Sequence, residues 1–215
     1  MKCIATLLAL GIAAAAPNAF AQASESTELS ITGLILPSSC TVELGNDGNA
    51  DLGEINAINL NHDTFTDLVR TTISLSVACE AEVRYAFFAT DNVPASNAYN
   101  VDYYGLGMTA GQKKIGGAKI YIENVTLDGV PGFGTQSYNN GGSWTDAGNV
   151  PVGNILNRNQ LRGYSWVQGS RYGPTPVKNL VGRLEIAPRI QATTALAIDD
   201  DTPIRGSVAL NLFYL

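Results

Sequence analysis

A side-chain period of two runs through this chain and limits what it can fold into. From Val69 to Cys79 the odd positions are Val69, Thr71, Ile73, Leu75, Val77 and Cys79. The even positions are Arg70, Thr72, Ser74, Ser76 and Ala78. Successive side chains of a strand point to opposite faces, so this is a half-buried strand with its cysteine on the inner face. Val83, Tyr85, Phe87 and Ala89 alternate with Arg84, Ala86, Phe88 and Thr90 in a second strand, ended by Asp91-Asn92 and Pro94. Ala118, Ile120 and Ile122 alternate with Lys119, Tyr121 and Glu123. Further strands are predicted at 41–44, around 184–190 and at 204–215.

Turn residues separate these segments: Gly45-Asn46-Asp47-Gly48, Asn61-His62-Asp63, Asp128-Gly129 and Asn139-Asn140-Gly141-Gly142. Only 191–197 has the alanine content of a helix, and it is short. Short alternating strands with turns between them indicate an all-β antiparallel sandwich. Residues 130–176 break the pattern, being rich in Gly, Asn and Pro and holding Trp144, Trp166, Tyr138 and Tyr164. They read as a long insertion on the sandwich, with room for a hairpin.

The two ends bound the compartment. Met1-Lys2, the apolar run Ile4–Ala16, and Ala19 and Ala21 around Phe20 form the three parts of a secretory signal peptide over 1–21. A membrane anchor needs about 20 apolar residues, and Pro17-Asn18 interrupts the run too early. Removing 1–21 takes away one lysine, leaving 12 Lys+Arg against 19 Asp+Glu, a net charge of −7. A mildly acidic chain without a basic cluster argues against nucleic acid or an anionic membrane as partner. Removal also leaves Cys40 and Cys79, expected to pair as one disulfide in an oxidising compartment. A metal site is a poor alternative, because two cysteines and the lone His62 fall short of four ligands. No cofactor is expected.

The last twelve residues place Ile204, Gly206, Val208, Leu210, Leu212 and Tyr214 in one row, opposite a row ending at Leu215. Taken alone, this segment fits equally the last internal strand of any sandwich. The opening LSITGLILPSSC, the SLSVAC strand closing on the second cysteine, and the terminal IRGSVALNLFYL together resemble chaperone–usher fimbrial (pilin-like) subunits. The segment YYGLGMTAGQKKIGGAKIYIENVTL resembles a fimbrial-like subgroup whose role is less well described.

That resemblance implies an incomplete immunoglobulin-like sandwich over 33–215, lacking its final strand and exposing an apolar groove. It implies partners as well: a periplasmic chaperone of the PapD type, an outer-membrane usher and neighbouring fimbrial subunits, with export through the periplasm to a fimbrium or the cell surface. Ile204–Leu215 would border the groove, and the Leu215 carboxylate would be held by basic groups of the chaperone. Residues 22–32 would be the donor extension, with Leu29 and Ile31 as its apolar plugs. Two departures stand out. Thr202 occupies the place where related pilins usually carry a glycine, and QASESTE (22–28) makes a thin donor. The thin donor weakens the case for a repeating shaft subunit and leaves open a tip or minor subunit, or a fimbrial-like protein that polymerises poorly.

Enzymatic readings find little support. His62 sits in a polar turn, and no GxSxG or HExxH pattern occurs. GLGMTAG (105–111) lacks the glycine spacing and the βαβ context of a dinucleotide loop. The second functional reading is a secreted module that binds glycan or a host surface through Trp144, Trp166, Tyr138 and Tyr164. Against it stands the simpler reading that these aromatics pack the insertion onto the sandwich.

Overall fold

The alternating segments pair as antiparallel strands. The computed structural model describes residues 39–147, 154–198 and 200–215. The strands are β1 (Cys40–Leu44), β2 (Thr66–Asp67), β3 (Thr71–Val83), β4 (Tyr85–Asp91), β5 (Tyr104–Gly105) and β6 (Gly116–Leu127). They continue with β7 (Val130–Pro131), β8 (Phe133–Ser137), β9 (Thr145–Asp146), β10 (Leu161–Ser165), β11 (Val177–Ile190) and β12 (Val208–Tyr214). The alanine-rich stretch contributes one turn of helix, α1 (Thr193–Leu196).

Two antiparallel sheets result. The first runs β1-β3-β11-β6-β5, with β2 against β11 and β7 against β6. The second runs β12-β4-β10-β8-β9. Their inner faces meet in one core: Leu75 and Val77 of β3, Ile122 and Leu127 of β6, and Leu180 and Leu184 of β11 face Tyr85 and Phe87 of β4 and Tyr164 of β10. Each such side chain taken out of water contributes about 1.5–3 kcal/mol. The fold is an all-β sandwich, and the described residues fall in one compact unit.

The outer face of the first sheet is charged and cross-paired. Arg189 grips Asp67 with Nε and an amino group at 2.6 and 2.9 Å, and Arg183 reaches Glu123 at 3.2 Å. The Arg189 contact holds the Asp67 carboxyl below its ordinary range. Inside and outside of this sheet are thereby chemically distinct, which fixes its register.

Three sequence expectations need correction. Val69 lies outside β3 and is 90% exposed, because the ladder with β11 begins at the Thr71–Ile186 pair. Residues 130–176 are not an appendage, because β8, β9 and β10 are three of the five strands of the second sheet. The terminal strand is shorter than 204–215, because its partner β4 ends at Asp91, opposite Val208. Asp91 closes that strand by accepting the Val93 and Gly105 N–H groups at 3.0 Å each. The expected signal peptide (1–21) and the expected donor residues Leu29 and Ile31 lie outside the described residues. No helix among the described residues is long and apolar enough to cross a membrane.

Candidate strand-accepting groove

The two sheets end on strands with one neighbour each. Among the described residues β1 pairs only with β3, and β12 only with β4. These two edges lie on the same side of the sandwich, which opens between them. At one end they are joined: Cys40 N–H of β1 donates to the Tyr214 hydroxyl of β12 at 3.2 Å. The Cys40–Cys79 disulfide sits at the same place, bonded across the directly opposed pair of β1 and β3. The expected pairing is thus present, and it ties the edge strand to its only neighbour.

Away from that pin lies a cleft of about 1350 Å³. One rim is the irregular segment 48–57 that follows β1, and the other is 200–208 with Leu210 of β12. The floor comes from both ends of the core: Ile73, Ile120, Leu184 and Ile186 of the first sheet, with Tyr104, Leu106, Ile115, Leu156, Ile190, Leu196 and Ile198. Leu106, Ile115, Ala118, Ile190 and Leu196 form a small core of their own, against which Ile204 packs. The floor is therefore largely apolar, with Thr109 as a polar member. Val208, Leu210 and Leu212 are only partly covered and pack on the main core.

The residues expected to border the groove separate into two groups. Ile204, Gly206, Val208 and Leu210 line it. Gly206 is required for close approach, since a Cβ there would come within 3.0 Å of the Gly105 carbonyl oxygen. Arg205 N–H donates to Leu106 O at 2.9 Å, so this stretch is held down on 105–107 before β12 begins. Leu212, Tyr214 and Leu215 lie beyond the cleft. Tyr214 serves as the pin, and Leu215 donates its N–H to Arg84 O at 3.0 Å, with its side chain close to Gly141.

The opposite rim was not visible in the sequence. Leu52, Ile55 and Leu60 line the cleft, but their spacings of three and five match no strand period. The Asn56 side chain accepts the Ile58 N–H at 3.1 Å and turns the chain there.

The four aromatics considered as ligand contacts do not form one surface. Tyr164 is 4% exposed, inside the core, and its hydroxyl donates to Ile122 O at 3.2 Å. It is withdrawn from any ligand, because even positions of β10 face the opposite sheet. Trp144 packs on Gly173, where a Cβ would lie 2.8 Å from its Nε1, and that Nε1–H donates to Gly141 O at 3.1 Å. Tyr138 and Trp166 are exposed at 67% and 42%. They lie past opposite ends of the β8/β10 ladder, whose five rows span about 16 Å. His62 pairs with Asp63 at 2.9 Å on the surface. No group of three or more His, Cys, Asp or Glu side chains is placed to hold a metal among the described residues.

Comparison with known proteins adds one finding. The profile of a family described as "Protein of unknown function (DUF1120)" matches residues 29–102. No curated protein matches the chain.

Proposed function

We propose that this chain is a strand-accepting structural subunit of a surface fimbria or fimbrial-like assembly, completed by a strand from another protein. A periplasmic chaperone would cover the groove first, an outer-membrane usher would receive the complex, and a neighbouring subunit would complete the fold. The observation that carries this reading is the apolar cleft between 48–57 and 200–210, with the second edge of β12 unpaired along one rim among the described residues. An extended chain entering there gains ladder hydrogen bonds from the backbone and buries alternate side chains against Ile73, Ile186, Leu106 and Leu196. An apolar edge left open invites aggregation, so such a subunit needs a partner from the moment it folds. The thin QASESTE extension favours a tip or minor position over a repeating shaft position. The glycan-binding reading has less geometric support, since Tyr164 is buried and Tyr138 and Trp166 lie apart.

The test is to express the mature chain in the periplasm with and without a chaperone of the PapD type. Soluble chain that depends on the chaperone and co-purifies with it is expected. Leu210→Asp, which puts a charge in the cleft, should abolish co-purification while the disulfide still forms. A soluble monomer that needs no partner overturns the reading.

A further inference from the structure

The charges lining the groove restrict what can fill it. Among the described residues four side chains charged at neutral pH line the cleft, Asp51 and Glu54 on one rim and Asp200 and Asp201 on the other, and all four are acidic. All are exposed, and none is in an ion pair with a described residue. No Lys or Arg lines the cleft among the described residues. Arg205 falls between two lining residues, Ile204 and Gly206, but is not itself a lining residue. The apolar floor asks for alternate apolar side chains, and the rims ask for cations at the positions between or flanking them.

The chain's own extension carries the opposite charge. Residues 22–32 together with the next four, QASESTELSITGLIL (22–36), contain Glu25 and Glu28 and no Lys or Arg. Placed in the cleft of a second copy, they would bring two carboxylates toward rims that already hold four. Like charges set against each other are a device for rejecting wrong partners.

Resting on the strand-accepting reading, we infer that the groove's occupant is a cationic strand of a different protein, with Lys or Arg among its polar positions, and not the extension of a second copy of this chain. The acidic rims then do two things: they raise the encounter rate of the basic strand, and they keep copies of this chain from filling one another. Exposed charges act within a screening length of about 8 Å at physiological salt, so the preference weakens as salt rises.

The experiment uses the full mature chain and two labelled peptides: residues 22–36 as they stand, and the same peptide with Glu25→Lys and Glu28→Lys. The lysine peptide is expected to bind about tenfold more tightly at low salt, with the difference mostly lost near 1 M salt. In the quadruple variant Asp51→Asn, Glu54→Gln, Asp200→Asn, Asp201→Asn, whose substitutions keep side-chain shape at exposed sites, the two peptides should bind alike. Equal binding to the unaltered chain, or tighter binding of the native peptide, overturns the charge rule and leaves the groove reading standing. Binding of neither peptide overturns both.

Discussion

At the scale of single residues, the buried tyrosines decide how the fold responds to its surroundings. Tyr104 donates its hydroxyl to Leu156 O at 2.6 Å and Tyr164 to Ile122 O at 3.2 Å, both deep in the core. Burial pushes the phenols of Tyr85, Tyr104 and Tyr164 well above their ordinary value, and that of Tyr99 to about 12. In the unfolded chain these groups ionise near pH 10. Below that pH both states hold the protons and stability is at its full value. Above it only the unfolded state releases them, so stability falls as pH rises toward the folded values. Urea unfolding should show a flat stability from pH 8 to 9.5 and a decline by pH 11; a flat profile to pH 11 would refute this. Tyr85 differs from the other two, because its buried hydroxyl has no hydrogen-bond partner among the described residues. Tyr85→Phe removes an unsatisfied polar atom and keeps the ring against Phe87, so it should leave stability unchanged or raise it by about 1 kcal/mol. A loss of more than that in the urea midpoint would show that the hydroxyl is satisfied.

At the scale of elements, β1 is the piece most dependent on a covalent tie. It is five residues long, forms a ladder with one strand among the described residues, and carries Cys40, whose partner is 39 residues away in sequence. Replacing both cysteines with alanine should cost about 2–4 kcal/mol, read from the urea midpoint at constant slope. An unchanged midpoint would mean that β1 holds its place through β3 and Tyr214 alone. Elements with clean alternation were legible in the sequence. Ile73, Leu75 and Val77 of β3 and Ile120 and Ile122 of β6 face the core as their period requires. The second sheet was less legible. Gly134, Gln136 and Arg162 share the inward face of Tyr164, so that face is not uniformly apolar. On the outer face Thr135 is buried, its hydroxyl within hydrogen-bond reach of Thr145 O of β9 at 3.0 Å and of Ser170 O of the covering loop at 3.1 Å. With both faces of β8 and β10 covered and polar residues on each, no period of two survives. The groove was half legible: β12 announced itself by alternation, whereas the irregular rim at 48–57 takes its place from the fold and not from any local pattern.

At the scale of the whole molecule, the described residues leave the sandwich open along the side where β1 and β12 have one neighbour each. Its first sheet is shielded by cross-strand ion pairs on the outside, and its second by the coil over β8 and β10. Among the described residues the cleft between the β1 side and β12 leaves an apolar floor uncovered. A strand laid in that cleft must touch both rims at once, which no ligand docked on a single face would do. The most direct measurement is hydrogen exchange of the mature chain, free and saturated with the lysine-substituted 22–36 peptide. Amides in 49–57 and in 204–210 should slow together by about tenfold or more as new ladder bonds form. Exchange unchanged in both rims, or protection confined to one rim or to another surface, would contradict the strand-accepting groove.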